Sequence, residues 1–157
     1  MVVSKASLVK ALCLALLVYG QAWGGPIGIE NNNPGNLRSF RWERWEGATG
    51  VDAHAHIVFR TPFYGLRAIR VNLAAYRRRG VITPYGIAKR WGSLKASPSQ
   101  VHDYVRTLCQ VGHFKAHEKL DLRDPDVQQA LAHGIVRHEN GIDPYSPELY
   151  DHAFPRR

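Results

Sequence analysis

In the second half of the chain, Thr83-Pro84, Ser97-Pro98 and Asp124-Pro125 each place a side chain able to cap a helix directly before proline. An oxygen there accepts a free backbone N–H of the first turn, and proline, with φ held near about −65°, suits the first helical position. Apolar residues at three- and four-residue steps follow each pair, and then a glycine. The first helix runs through Ile87 and Trp91 to Gly92. The second has Gln100 three residues after Ser97, a capping box, then Val101, Tyr104, Val105 and Leu108, and Gly112 ends it. The third carries Val127, Leu131 and Ile135 to Asn140-Gly141, a left-handed stop. Upstream, Leu66, Ile69, Leu73 and Tyr76 predict a helix between Pro62 and Gly80, with Arg77, Arg78 and Arg79 in its last turn, where the helix dipole favours cations.

The segment Gly28 to Ser39, rich in Asn, Pro and Gly, reads as an ordered loop. Phe40 to Trp45 and Ala53 to Phe59 form a hairpin candidate around the turn material Gly47 to Gly50. The Pro-rich tail, Pro144 to Arg157, is expected to be irregular. The fold class is α+β, mainly α-helical, with one small β-hairpin and no internal repeat. Hydrophobic residues at 45 % and charged ones at 22 % agree with one globular domain, spanning residues 25–157.

The first two dozen residues have the order of a secretory signal. Lys5 and Lys10 come first with no acid, Ala11 to Tyr19 is unbroken apolar sequence, and Gly20, Ala22 and Gly24 are small residues suited to cleavage before Trp23 or before Gly25. The run falls short of the roughly 20 apolar residues of a membrane span. A weak anchor that is later released is the alternative to a cleaved signal. Cys13 lacks the small residue before it that a lipoprotein signal requires.

The formal charge of +8 becomes +6 once residues 1–24, with two lysines and no acid, are removed. Such a surface is drawn to nucleic acid, anionic lipid or cell-wall polymer. Two cysteines are too few for a disulfide framework, and neither stands at zinc-finger spacing. Cys109 reads as a buried, inert thiol on a helix.

Among candidates for chemistry, Glu139 stands out. It falls in the last turn of its helix, where unsatisfied carbonyls disfavour a carboxylate and raise its pKa, and Tyr145 can add desolvation. A carboxyl that stays protonated near neutral pH can protonate a glycosidic oxygen. The plainer alternative is a surface residue paired with Arg137 or His138.

Two motifs, Gly28-Ile-Glu-Asn-Asn-Asn-Pro-Gly-Asn-Leu-Arg38 and Arg137-His-Glu-Asn-Gly-Ile-Asp-Pro-Tyr145, resemble a family of small phage- and prophage-encoded proteins. Members are described as virion structural proteins and sometimes as peptidoglycan-degrading enzymes. Trp45-Glu-Gly47, Tyr64-Gly65-Leu-Arg-Ala68 and Arg90-Trp91 also fit, so the resemblance covers about residues 28–145. The chain departs from the pattern at Glu30, where a basic residue is commoner, and after Trp91, where Ala-Pro is absent. Glu139 to Pro144 is also similar to the helix-end Glu and polar turn of lysozyme-like lytic transglycosylases. In those enzymes the catalytic helix precedes the hairpin, so the resemblance implies a circularly permuted lysozyme-like arrangement.

That resemblance makes Glu139 the general acid/base and Asp52, on or beside the hairpin, the candidate second carboxylate. Asn32, Asn33, Asn36 and Arg38 would donate to sugar amides and hydroxyls, with His138 and Tyr145 beside them. The loop's composition equally suits a mere tight turn. Trp42, Trp45 and Trp91 either stack on sugars or serve as scaffold.

His54 and His56 would share a strand face, and His113 and His117 a helix face, but no His-Glu-x-x-His occurs, so no metal and no cofactor is expected. Thr49, Ser93 and Cys109 have no recognisable nucleophile setting. Two function classes remain. One is an exported, monomeric enzyme, lytic transglycosylase or muramidase, cleaving peptidoglycan glycan strands in the periplasm or outside the cell, with its basic surface on the anionic envelope. The other is a non-catalytic virion or envelope-binding protein. Export argues against nucleic acid as the partner of Tyr76-Arg-Arg-Arg79.

Overall fold

The computed structural model describes residues 25–39, 41–92 and 96–156. The secretory segment, residues 1–24, lies outside the described residues. So does Phe40, the expected start of the first strand.

Six α-helices and one two-stranded antiparallel sheet make up the described residues: α1 (Ile27–Glu30), β1 (Ala48–Val51), β2 (Ile57–Phe59), α2 (Pro62–Arg78), α3 (Pro84–Trp91), α4 (Pro98–Gly112), α5 (Pro125–Asn140) and α6 (Pro147–Ala153). The protein is therefore a mainly helical α+β domain. No helix among the described residues is long and apolar enough to cross a membrane.

The caps read from sequence are formed. Thr83 accepts from the Gly86 amide, Asp124 accepts from the Asp126 amide, and Ser97 and Gln100 close a reciprocal capping box. Gly141 closes α5 at φ +72°. On α4 the left-handed residue is His113, at φ +56°, one place beyond the expected Gly112.

Helices α4 and α5 pack against each other, α3 lies on α4, and α6 lies on α2. Leu66, Ile69, Leu73, Leu108, Leu131 and Ile135 are fully buried between them. Each such side chain contributes roughly 1.5–3 kcal/mol relative to exposure.

The hairpin differs from the expected one in register. Ala48 to Gly50 is strand rather than turn, because Ala48, Gly50 and Val51 pair with Phe59, Val58 and Ile57. The reversal falls at Asp52 to His56, where Asp52 Oδ1 accepts the amides of His54 (2.8 Å) and His56 (2.9 Å) and Ala55 takes φ +63°. Upstream, Trp42–Arg44 forms a 3-10 turn, and Trp42 and Trp45 pack with Ile57, Phe59 and Ala68 in a second, smaller core.

The tail corrects the sequence reading as well. Ser146 caps α6, and Tyr150, Ala153 and Phe154 are at most 1 % exposed in the main core. Asp143 anchors this helix, since its Oδ2 meets His133 Nδ1 and accepts from the Tyr150 hydroxyl at 2.9 Å.

Candidate active site

The loop between α1 and β1 is built by its own asparagines. Asn33, fully buried, donates from Nδ2 to the carbonyls of Leu37 and Ile57, both at 2.9 Å, and accepts the Leu37 amide. Asn32 and Asn36 sit at φ +51° and +47°, a region that asparagine tolerates better than most residues. Asn32 donates to the Phe59 carbonyl at 3.0 Å. Arg38 bridges to His56, so the loop extends the sheet beyond β2.

The loop meets the end of α5, more than a hundred residues away in sequence. Asn140 donates to the Pro34 carbonyl at 2.8 Å, and Asn36 Nδ2 lies 3.2 Å from Glu139 Oε2. A Cβ on Gly28 would strike Asn140 Oδ1, Asn36 Oδ1 and the Asn33 carbonyl. Only glycine lets these groups close together, and this explains why the two motifs belong to one construction.

Glu139 is gripped at both oxygens. Tyr104, buried on α4, donates from its hydroxyl to Oε1 at 2.9 Å, and Asn36 donates to Oε2. Burial pushes the Glu139 carboxyl above its ordinary value of 4.5; the hydrogen bonds from Tyr104 and Asn36 and the nearness of His56 and Arg38 oppose this without cancelling it. A cavity of about 520 Å³ opens over the group, lined by Gly92, Gln100, Asp103, Tyr104, His138 and Glu139. His138 stacks on the Tyr104 ring, centroids 3.8 Å apart, and its Nδ1 lies 3.2 Å from the Thr107 hydroxyl. Burial lowers its pKa, with Asp103 working the other way, which favours the uncharged ring beside the acid.

Asp52 does not present a second free carboxylate. Besides the two amides on Oδ1, its Oδ2 accepts from Asn31 Nδ2 at 2.8 Å and faces His56 Nδ1 at 3.0 Å. Desolvation would raise its pKa, but these donors outweigh that and hold the carboxyl far below the usual range. Its acceptor sites are taken by the groups that build the hairpin turn. Its role is to orient His56. Arg38 donates from Nε to His56 Nε2 at 3.0 Å, which leaves Nδ1 to carry the proton toward Asp52.

Asn32 and Asn33 likewise spend their amides on the backbone rather than on a ligand, because a loop with so little regular structure must satisfy its carbonyls from within. Tyr145 packs on the main core, with its hydroxyl buried and without a hydrogen-bond partner among the described residues. Burial, helped by Asp143, raises its pKa to about 12. Of the substrate-binding candidates, the structure brings Asn36 and His138 to Glu139 and leaves Arg38 exposed, with its Nε on His56. Trp91 serves as scaffold, donating to the Gly35 carbonyl at 3.0 Å.

Sequence reasoning missed Tyr104 and Asp103 as site residues, and it considered His56 only as a metal-ligand partner of His54. Tyr104 lay hidden in an apolar stripe, although a buried tyrosine hydroxyl calls for a partner. Among the described residues, no three His, Cys, Asp or Glu side chains group as a metal site. His113 and His117 do not share a helix, since α4 ends before them. No family model matches the chain, and no curated protein does.

Proposed function

We propose that this chain is an exported enzyme that cleaves the glycan strands of peptidoglycan, with Glu139 as general acid and then general base. The observation that carries this reading is a carboxyl raised by burial and oriented at both oxygens, on the wall of an open cleft. Protonated Glu139 gives its proton to the glycosidic oxygen as the bond to the sugar breaks. The carboxylate then takes a proton from an incoming water or from the sugar's own hydroxyl. Asn36 and Tyr104 stabilise that carboxylate while it waits.

A lysozyme-like, circularly permuted fold agrees with an acid that ends a helix and abuts a hairpin-borne loop, with the chain order reversed. The likeness of the two motifs to small phage- and prophage-encoded proteins supports the same reading, as do the secretory pattern of residues 1–24 and the net charge of +6 beyond it. Saturation of Asp52 favours a one-carboxylate route. Asp103, on the cleft wall, is the carboxylate that a two-carboxylate route would use.

The test is to incubate residues 25–157, and the same segment with Glu139→Gln, with purified peptidoglycan and to identify fragments by mass spectrometry. Anhydro-muramic ends released by the wild type identify a lytic transglycosylase, and reducing muramic ends a muramidase. Glu139→Gln should cut release by about 10²–10⁴-fold, the usual worth of a general acid/base, and leave wall binding intact. Binding without fragments from either protein would replace this reading with a non-catalytic virion or envelope-binding protein.

A further inference from the structure

A second cavity, of about 870 Å³, lies on the other side of α4, between that helix, α3 and the turn at 113–117. Its apolar surface comes from Val101, Val105, Phe114 and Ala116. The charged and imidazole groups lining it, among the described residues, are Lys89, Arg106, His102 and His117, with no carboxylate. Of the acids nearby, Asp103 pairs with the groove's own Arg106 at 3.0 Å, both side chains more than half exposed, and Glu118 accepts the Lys115 amide at 3.0 Å. Tyr85, 40 % exposed, leans on the His117 ring with centroids 5.0 Å apart and walls the groove. Ala96 and Val101 line both this groove and the Glu139 cleft, so the two adjoin at one edge of α4.

Resting on the function proposed above, we propose that this groove holds the peptide that hangs from the muramic residues of the glycan. That peptide is short, rich in alanine methyls and carries free carboxylates. Its methyls suit the apolar floor, its carboxylates suit Lys89 and Arg106, and its point of attachment to the sugar suits a groove that adjoins the cleft. The volume lies within the range that takes a ligand of this size. The protein thus selects peptide-bearing strands over bare glycan.

The test is calorimetric titration of the Glu139→Gln protein with two soluble probes, a muramic disaccharide bearing its peptide and the same disaccharide freed of it. The peptide-bearing probe should bind about ten-fold more tightly, as two exposed charge contacts can supply. Lys89→Gln and Arg106→Gln, both at exposed positions, should together bring the two probes within about two-fold. Each substitution alone should remove part of the difference, which keeps the test valid if the double variant folds poorly. Equal affinities, no binding of either probe, or a preference that survives both substitutions would overturn the groove. Wild-type turnover of whole peptidoglycan is scored separately: peptide-dependent binding without fragments would retain the groove and remove the enzymatic reading.

Discussion

The two donors on Glu139 set how its proton behaves. Tyr104 keeps its own proton because burial, and then the charge of Glu139, raise the phenol well above its usual range, so it remains a donor throughout the working pH. Its bond favours the carboxylate, hence Tyr104→Phe should raise the Glu139 pKa further. Because the active form is the protonated acid, activity is lost as pH rises through that pKa, and the alkaline limb of the pH–rate profile should move to higher pH. An unmoved or downward-shifted limb would contradict this assignment. Stability carries the same sign. The folded chain retains the Glu139 proton where the unfolded chain has released it, so from 4.5 upward the folded state loses stability as pH rises through the window. Each unit of elevation is worth about 1.4 kcal/mol. Against Glu139→Gln, which does not titrate there, the wild-type Tm should therefore compare less favourably at about pH 7 than at about pH 4. A constant difference in thermal melts would refute it. Glu139 was legible from sequence because Asn140-Gly141 marks the helix end next to it. Its partner on α4 was not, since periodicity says which face is buried and nothing of what that face meets.

At the scale of elements, local chemistry held at the proline-led starts of α2 to α5. Helices α2 to α5 begin at the expected prolines, and α3, α4 and α5 carry the capping bonds that Thr83, Ser97 and Asp124 announced. The hairpin failed in register because Gly47 and Gly50 look like turn residues, whereas the Asp52 carboxylate, bonded to two later amides, makes the better turn. Ser146-Pro147 bears the same signal as Ser97-Pro98, yet the proline-rich tail obscured it. Contacts between elements are stricter. Helix α2 approaches the asparagine loop so closely that a Cβ on Gly65 would collide with the Asn32 carbonyl and Pro34. Gly65→Ala should cost at least about 2 kcal/mol, since backbone rather than a flexible side chain must give way. Urea denaturation measures it, and a change below about 0.5 kcal/mol would show that the loop can withdraw.

Across the whole molecule, the C-terminal helix α6 packs on α2 and seals the main core. Phe154 and Tyr150 are each 1 % exposed, so Phe154→Ala should cost about 3–5 kcal/mol in chemical denaturation, a large part of the 5–15 kcal/mol typical of a domain. A loss under about 1 kcal/mol would mean that α6 is dispensable. The sequence by itself determined where α2 to α5 begin, the mainly helical class and the acid at the end of α5, because each depends on interactions within a turn or two of chain. Only the tertiary structure decided that Asp52 is saturated, that Tyr104 and Asn36 grip Glu139, and that the tail is core. Those outcomes rest on groups dozens of residues apart competing for the same hydrogen bonds and the same buried volume, a competition that no local pattern records.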